Sequence, residues 1–228
     1  MKLHYFAAAA VLACVAHAQQ AGAVELPAIG GSRFTVPVAN LKQIRFQATL
    51  RQQYDFSCGS AAVATLLTHH YGHPVSEQFV FEQMFANGDQ QKIRKQGFSL
   101  LDIKRFLGAQ GFQADGFTLP LQKLIDARLP AIVLVAEKGY HHFVVIKGIA
   151  DERVLIGDPA NGTRSLPRAA FEKIWRSKLL FVIHGAAQAP AFNRPADWRA
   201  APTAPLASGI SRDGMSGISM AKHGPSDY

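Results

Sequence analysis

Cysteine is nearly absent from this 228-residue chain: Cys14 and Cys58 are all there is. No zinc-finger spacing can be built from two thiols so far apart, and a disulfide framework is excluded as the basis of the fold. Long hydrophobic runs are missing too. No stretch reaches the roughly 18 uninterrupted apolar residues of a membrane helix. The 24 Lys and Arg are scattered, with no run longer than two, so the net charge of +8 forms no compact basic tract. No RNA-binding aromatic signature accompanies that charge, which argues against a nucleic-acid partner. Solubility is the preferred reading of the charge, with an acidic partner or an anionic membrane as the alternative. With 48% hydrophobic and 18% charged residues the chain is globular material, long enough for one substantial domain and short for two.

The first residues read as a secretion signal. Lys2 and His4 open it, residues 5–15 are apolar and uncharged, and Ala16-His17-Ala18 offers a small-x-small cleavage site with Gln19 as the new N-terminus. Ala21-Gly22-Ala23 is a second cleavage candidate. Val11-Leu12-Ala13-Cys14 loosely resembles a lipoprotein box, and anchoring at Cys14 is the less favoured alternative because bulky Leu12 precedes Ala13. Cleavage after Ala18 would leave Cys58 as the sole thiol of a periplasmic protein. A lone thiol in an oxidising compartment is either buried and inert or used, and its surroundings decide which.

Residues 19–40 read as an N-terminal extension with a short strand at 34–38. Ile44, Phe46, Ala48 and Leu50 alternate with polar residues, a period of two that predicts a half-buried strand and turns the amide of Gln52 inward, with Gln53 pointing the other way. From Ser57 the period changes. Ala62, Val63, Leu66, Leu67 and His70 fall at helical spacing, Ser57 is a candidate N-cap, and Gly72 ends the run. Residues 74–87 predict a second helix closed by Gly88. Ser99 with Asp102 resembles a capping box opening a third, and 121–127 a short fourth. Residues 131–136, 143–149 and 154–156 are dense in β-branched and apolar side chains and predict successive antiparallel strands. A short helix over 167–175 and a closing strand over 179–183 follow. The Ala, Pro, Ser and Gly of 187–228 predict a disordered tail. Helices first and an antiparallel sheet afterwards make an α+β domain over 41–186.

Within that layout Cys58 falls in the first turn of a helix, where unpaired N–H groups and the dipole favour negative charge, and Gly59 beside it permits close approach. Apolar cysteines on core helices are common, so a nucleophile needs further support from a base within hydrogen-bond reach. Of nine histidines, His4 and His17 belong to the signal and His223 to the tail. His184 sits where the fold ends, and His69, His70 and His73 follow Cys58 too closely along its own helix. His141 and His142 remain. Alternation groups His142 with Val144 and Ile146 and sets His141 on the opposite face. Asp158, at the end of the next strand, can orient the imidazole. It could equally be a turn aspartate before Pro159, and Asn161 is an alternative orienter. Gln52, six positions before Cys58, is the candidate oxyanion donor together with the backbone N–H of Cys58.

Gln52-Gln53-Tyr54-Asp55-Phe56-Ser57-Cys58-Gly59, His142-Phe143-Val144-Val145-Ile146 and Asp158-Pro159 with Gly162 together resemble the C39 peptidases, the bacteriocin-processing, double-glycine family often found at the front of ABC exporters. The resemblance runs over about residues 45–184. The separations 58 − 52 = 6 and 158 − 142 = 16 match its glutamine-to-cysteine and histidine-to-aspartate gaps. It implies a papain-like fold, with the family's roles carried onto Gln52, Cys58, His142 and Asp158, and it requires neither metal nor cofactor. The sequence lacks the G-x-x-x-x-G-K-[ST] nucleotide site and the transmembrane domain of the exporter type. It is similar instead to the stand-alone exported members of Gram-negative bacteria, among them those that accompany functional-amyloid export. The expected function is therefore hydrolysis of a peptide bond in an exported polypeptide, an amyloid or a leader-bearing precursor, with an export system as partner. A silent peptide-binding or chaperone module on the same fold is the rival, and acyl transfer to an amine a third reading.

Overall fold

The computed structural model describes residues 22–27, 33–38, 40–137 and 139–201. The expected signal and residues 202–228 lie outside them. Two units result. In the first, β1 (Gly22–Pro27) and β2 (Arg33–Val38) form an antiparallel pair in which Val24 faces Val36. The strand expected over 34–38 is β2; β1 has no counterpart in the sequence reading.

The second unit opens with a correction. The alternating segment does not form a strand: α1 (Leu41–Phe46) is a short helix, followed by a turn. Leu41 and Ile44 are also three apart, so six residues fit either period. Packing settled the matter. Residues of α1 lie against the strand β7 (Gly162–Pro167), where a Cβ on Gly162 would sit 2.7 Å from Cβ of Arg45.

Next comes α2 (Cys58–His70), buried over Cys58–Leu67 and again at His70. Its small residues let neighbours come close; a Cβ on Gly59 would meet Cβ of Phe98 at 2.9 Å. Helix α3 (Glu77–Ala86) is capped by Ser76, whose hydroxyl accepts from the Phe79 N–H. The polar helix α4 (Gln90–Gln96), absent from the sequence reading, buries Ile93 alone. Then α5 (Leu100–Ala109) begins with the expected Ser99–Asp102 capping box.

The sheet has six strands in the order β3-β8-β4-β5-β6-β7, all neighbours antiparallel. Its strands are β3 (Gln113–Thr118), β4 (Ala131–Glu137), β5 (Tyr140–Ala150), β6 (Arg153–Asp158), β7 and β8 (Leu179–His184). Helices α6 (Gln122–Ala127) and α7 (Arg168–Ile174) belong to the same unit. Two apolar cores flank the sheet. One joins α2, α3 and α5 to Ile132, Phe143, Val145 and Ile183; the other joins Leu124, Phe171 and Trp175 to Val133, Val144, Ile146, Val154 and Ile156. Neighbouring residues of β5 thus enter opposite cores, as a pleated strand buried on both faces requires.

The tail expected from residue 187 onward is a second correction. Residues 187–201 carry α8 (Pro195–Arg199) and bury Phe192, Asp197 and Ala200. Composition misses this strap because it has a single large apolar anchor, Phe192, and is otherwise held by polar groups: His70, the backbone of β5 and the side chain of Lys147. Among the described residues no helix is long and apolar enough to cross a membrane.

Candidate active site

Cys58, the only cysteine among the described residues, begins α2 and is 6% exposed. Ser57 stands at the cap position but does not cap with its side chain. Its hydroxyl instead donates to the Tyr54 carbonyl at 3.0 Å and accepts from the Tyr54 N–H at 3.1 Å. The N–H groups of the first turn are therefore not taken up by a side chain at the point where a thiolate or an oxyanion would gather charge.

His142 lies near the start of β5, 6% exposed, and its Nε2 lies 2.8 Å from Oδ1 of Asp158 at the end of β6. Both side chains share the sheet face of Val144, Ile146, Val154 and Ile156. That follows from the β5–β6 register, in which Ile146 faces Ile156. With Nε2 on the carboxylate, Nδ1 is the nitrogen left for the thiol. It is buried and has no hydrogen-bond partner among the described residues. Burial alone would lower the His142 imidazole. The hydrogen bond to Asp158 and the Cys58 sulfur beside it outweigh burial and raise it from 6.5 to about 9.

Asp158 is fully buried and heavily solvated by the protein. Its Oδ1 accepts from the N–H groups of Ala160 (2.9 Å) and Asn161 (3.1 Å), and its Oδ2 from Asn161 Nδ2 (3.0 Å) and Arg164 Nε (3.0 Å). Burial pushes its carboxyl up, but the His142 and Asn161 hydrogen bonds prevail and hold it well below the usual carboxylate range. Asn161, the alternative orienter in the sequence, bonds to Asp158. Arg164 was not anticipated. Its guanidinium also pairs with Glu137 at 2.6 Å, so it bridges the Asp158 turn to the end of β4.

Gln52 arrives near the site by a route other than strand alternation. Its backbone N–H donates to the Pro159 carbonyl at 3.1 Å, which ties it to the Asp158 turn. Its Nε2 donates to the carbonyls of Tyr54 (3.0 Å) and Asp55 (3.4 Å), and its buried Oε1 has no partner among the described residues. Tyr140, also missed from sequence, stands 53% exposed with its ring 6.0 Å from that of His142. Its hydroxyl donates to the Asp55 carbonyl at 2.6 Å. Behind α2, Ser60 donates to buried Glu77 at 2.8 Å, and burial raises the Glu77 carboxyl. No cluster of His, Cys, Asp and Glu suited to a metal ion occurs among the described residues.

A helix-borne cysteine opposed by a sheet-borne histidine and aspartate, on an α+β frame, defines the papain-like architecture. The chain belongs to the Peptidase C39 family, whose model matches residues 47–187. It is 39% identical over 165 residues to the "Probable functional amyloid protease FapD" of Pseudomonas aeruginosa, covering 72% of this chain and 73% of that one. It is 38% identical over 156 residues to the protein of the same name from Pseudomonas fluorescens, covering 68% and 69%. Among solved structures, the peptidase domain of Streptococcus ComA, a bi-functional ABC transporter involved in quorum sensing, superposes with a TM-score of 0.52. That match is 24% identical and covers 62% of this chain and 98% of that domain, which shows a common fold. The chain is accordingly a protease of the C39 family, and its fold is the papain-like α+β arrangement expected from the sequence.

Proposed function

We propose that this protease is a cysteine endopeptidase acting on an exported polypeptide, with Cys58 as nucleophile, His142 as base and Asp158 as its orienting acceptor. One observation carries the reading. A single buried imidazole is held through Nε2 by a carboxylate, keeps Nδ1 out of any hydrogen bond, and feels the only thiol present among the described residues as a neighbour. In the first step the Cys58 thiol proton passes to His142, and sulfur attacks the scissile carbonyl carbon. The oxyanion forms where the uncapped first-turn N–H groups of α2 converge. Gln52 joins them by turning its amide away from the Tyr54 and Asp55 carbonyls. His142 then returns its proton to the leaving amine, the C–N bond breaks, and water releases the acyl group from sulfur. No step calls for a metal or cofactor.

Likeness to proteins named as functional amyloid proteases supports an exported amyloid subunit or a leader-bearing precursor as substrate. With it goes export to the periplasm through the N-terminal signal. The test is the Cys58→Ala variant of the full chain, incubated with a proteome-derived peptide mixture and read by mass spectrometry for new termini. The expected result is loss of all enzyme-dependent termini with unchanged melting. Termini produced at the wild-type rate would overturn the assignment in favour of a binding module.

A further inference from the structure

Among the described residues, an unusual buried group lies outside the Cys58–His142–Asp158 cluster. Lys147 is 0% exposed, in the bulge where the β5–β6 register shifts between Ile146 and Gly148. A lysine is almost never fully buried unless it is paired. Its Nζ donates in two directions, to the Ala48 carbonyl at 2.5 Å and to Oδ1 of Asp197 in α8 at 3.2 Å. Asp197 is in turn gripped by Arg194, through Nε (3.0 Å) and Nη2 (3.0 Å). The strap that carries both residues lies beyond residue 187, past the segment that the family model matches.

Two glycines of the sheet are shaped to this arrangement. A Cβ on Gly148 would fall 2.1 Å from Oδ1 of Asn193, whose backbone N–H donates to the Lys147 carbonyl and whose side chain donates to Ile149. A Cβ on Gly157, the residue before Asp158, would fall 2.9 Å from Oγ1 of Thr49 and 3.2 Å from Cδ of Lys147. One gap admits the strap, and the other gives the lysine stem a route to Ala48.

Downstream of Ala48 the chain is pinned almost residue by residue. Thr49 bonds Thr163 at 2.8 Å, the Leu50 N–H donates to Thr65 of α2 at 2.9 Å, and the Gln52 N–H donates to Pro159. We infer that the C-terminal strap is a working part of the active site: Asp197 holds Lys147, and Lys147, as a positioning residue, holds the segment that fastens Gln52 to the Asp158 turn. This rests on the peptidase reading for its catalytic consequence, but the mechanical link stands on geometry alone.

The test uses the full chain with Lys147→Met, Asp197→Leu and the double variant. Two properties are measured: hydrogen exchange of residues 47–53, and kcat and KM on a peptide found to be cleaved in the proteome-derived mixture. Lys147→Met keeps Asp197 paired with Arg194 but leaves the Ala48 carbonyl without its donor. Exchange at Leu50 and Gln52 should rise about tenfold, and kcat should fall about tenfold with KM within about twofold. The double variant replaces a buried ion pair by apolar side chains, a change that often restores stability. Its melting temperature should recover while kcat stays low, an outcome that general destabilisation does not produce. Unchanged exchange in Lys147→Met, or kcat recovering together with melting in the double variant, would overturn the inference. Should Cys58→Ala still cleave, the peptidase reading falls by itself, and the exchange measurement continues to decide the link between strap and loop.

Discussion

The two ends of α2 each meet a buried imidazole, and the two imidazoles are tuned in opposite directions. At the N-terminal end His142 is raised to about 9; at the C-terminal end His70 is lowered to about 3. Burial lowers both. The partners differ. His142 bonds a carboxylate and lies against Cys58, so a positive ring is stabilised. His70 Nδ1 lies 2.6 Å from the Ala191 carbonyl and faces the charge of Lys147, so a neutral ring with its proton on Nδ1 is stabilised. One imidazole becomes half of a buried ion pair with Asp158. The other becomes a fixed donor that fastens a strap. Burial of a histidine therefore says little about its role, and the sign of the charge next to it says most.

The strongest way to break this contrast is to remove the sulfur. Cys58→Ala should lower cleavage by at least about a thousandfold, while the C-terminal end of α2 and its strap stay as they are. Asp158→Asn comes next. It removes the charge that holds His142 positive and presents an amide to the donors of Asn161 and Arg164. We expect a fall of about a hundredfold in kcat/KM, with the His142 titration seen by NMR moving down from 9 towards 6.5.

The pH dependence sharpens the contrast. The folded pKa of His142 lies above its ordinary 6.5, so the stability of its ionised form is fully present below about 6.5 and is lost as pH rises through about 9. Asp158 behaves oppositely: its contribution is present above 3.8 and is lost as pH falls through its lowered pKa. Activity should hold on the alkaline side until about 9 and then fall. Lys147, which burial lowers to about 8, titrates nearby. The alkaline limb should therefore persist in Lys147→Met if His142 produces it. The smallest effect is expected at the other end of α2. His70→Leu leaves the Ala191 carbonyl without its donor and should cost about 1–3 kcal/mol in thermal or denaturant unfolding, with cleavage per folded molecule within about threefold of wild type.

Legibility in the sequence followed burial. The central strands β4, β5 and β6 and the helices α2 and α5 bury apolar faces, and their periods announce them. The outer strands do not. β3 exposes most of its residues and β7 reads Gly-Thr-Arg-Ser-Leu-Pro, so neither carries an alternation to detect, and they form the two edges of the sheet. Polar α4 was detectable only from its termini, where Asp89 caps the Lys92 N–H and Gly97 ends the helix at positive φ. In the site, Cys58, His142 and Asp158 could be selected from sequence because each sits at the boundary of a strongly patterned element. Arg164 and Tyr140 could not: Arg164 lies within the unpatterned edge strand β7, and Tyr140 bonds a carbonyl 85 positions away.

By itself the sequence determined which elements form the core and which three side chains stand at their ends, because hydrophobic period and helix-start signals are local and act before any long-range contact exists. Tertiary structure alone decided that 41–46 coils instead of extending, that Gln52 is fastened to the Asp158 turn, and that a polar strap docks on a buried lysine. Those outcomes depend on hydrogen bonds and charges between distant segments, whose strength comes from the water excluded when the layers close.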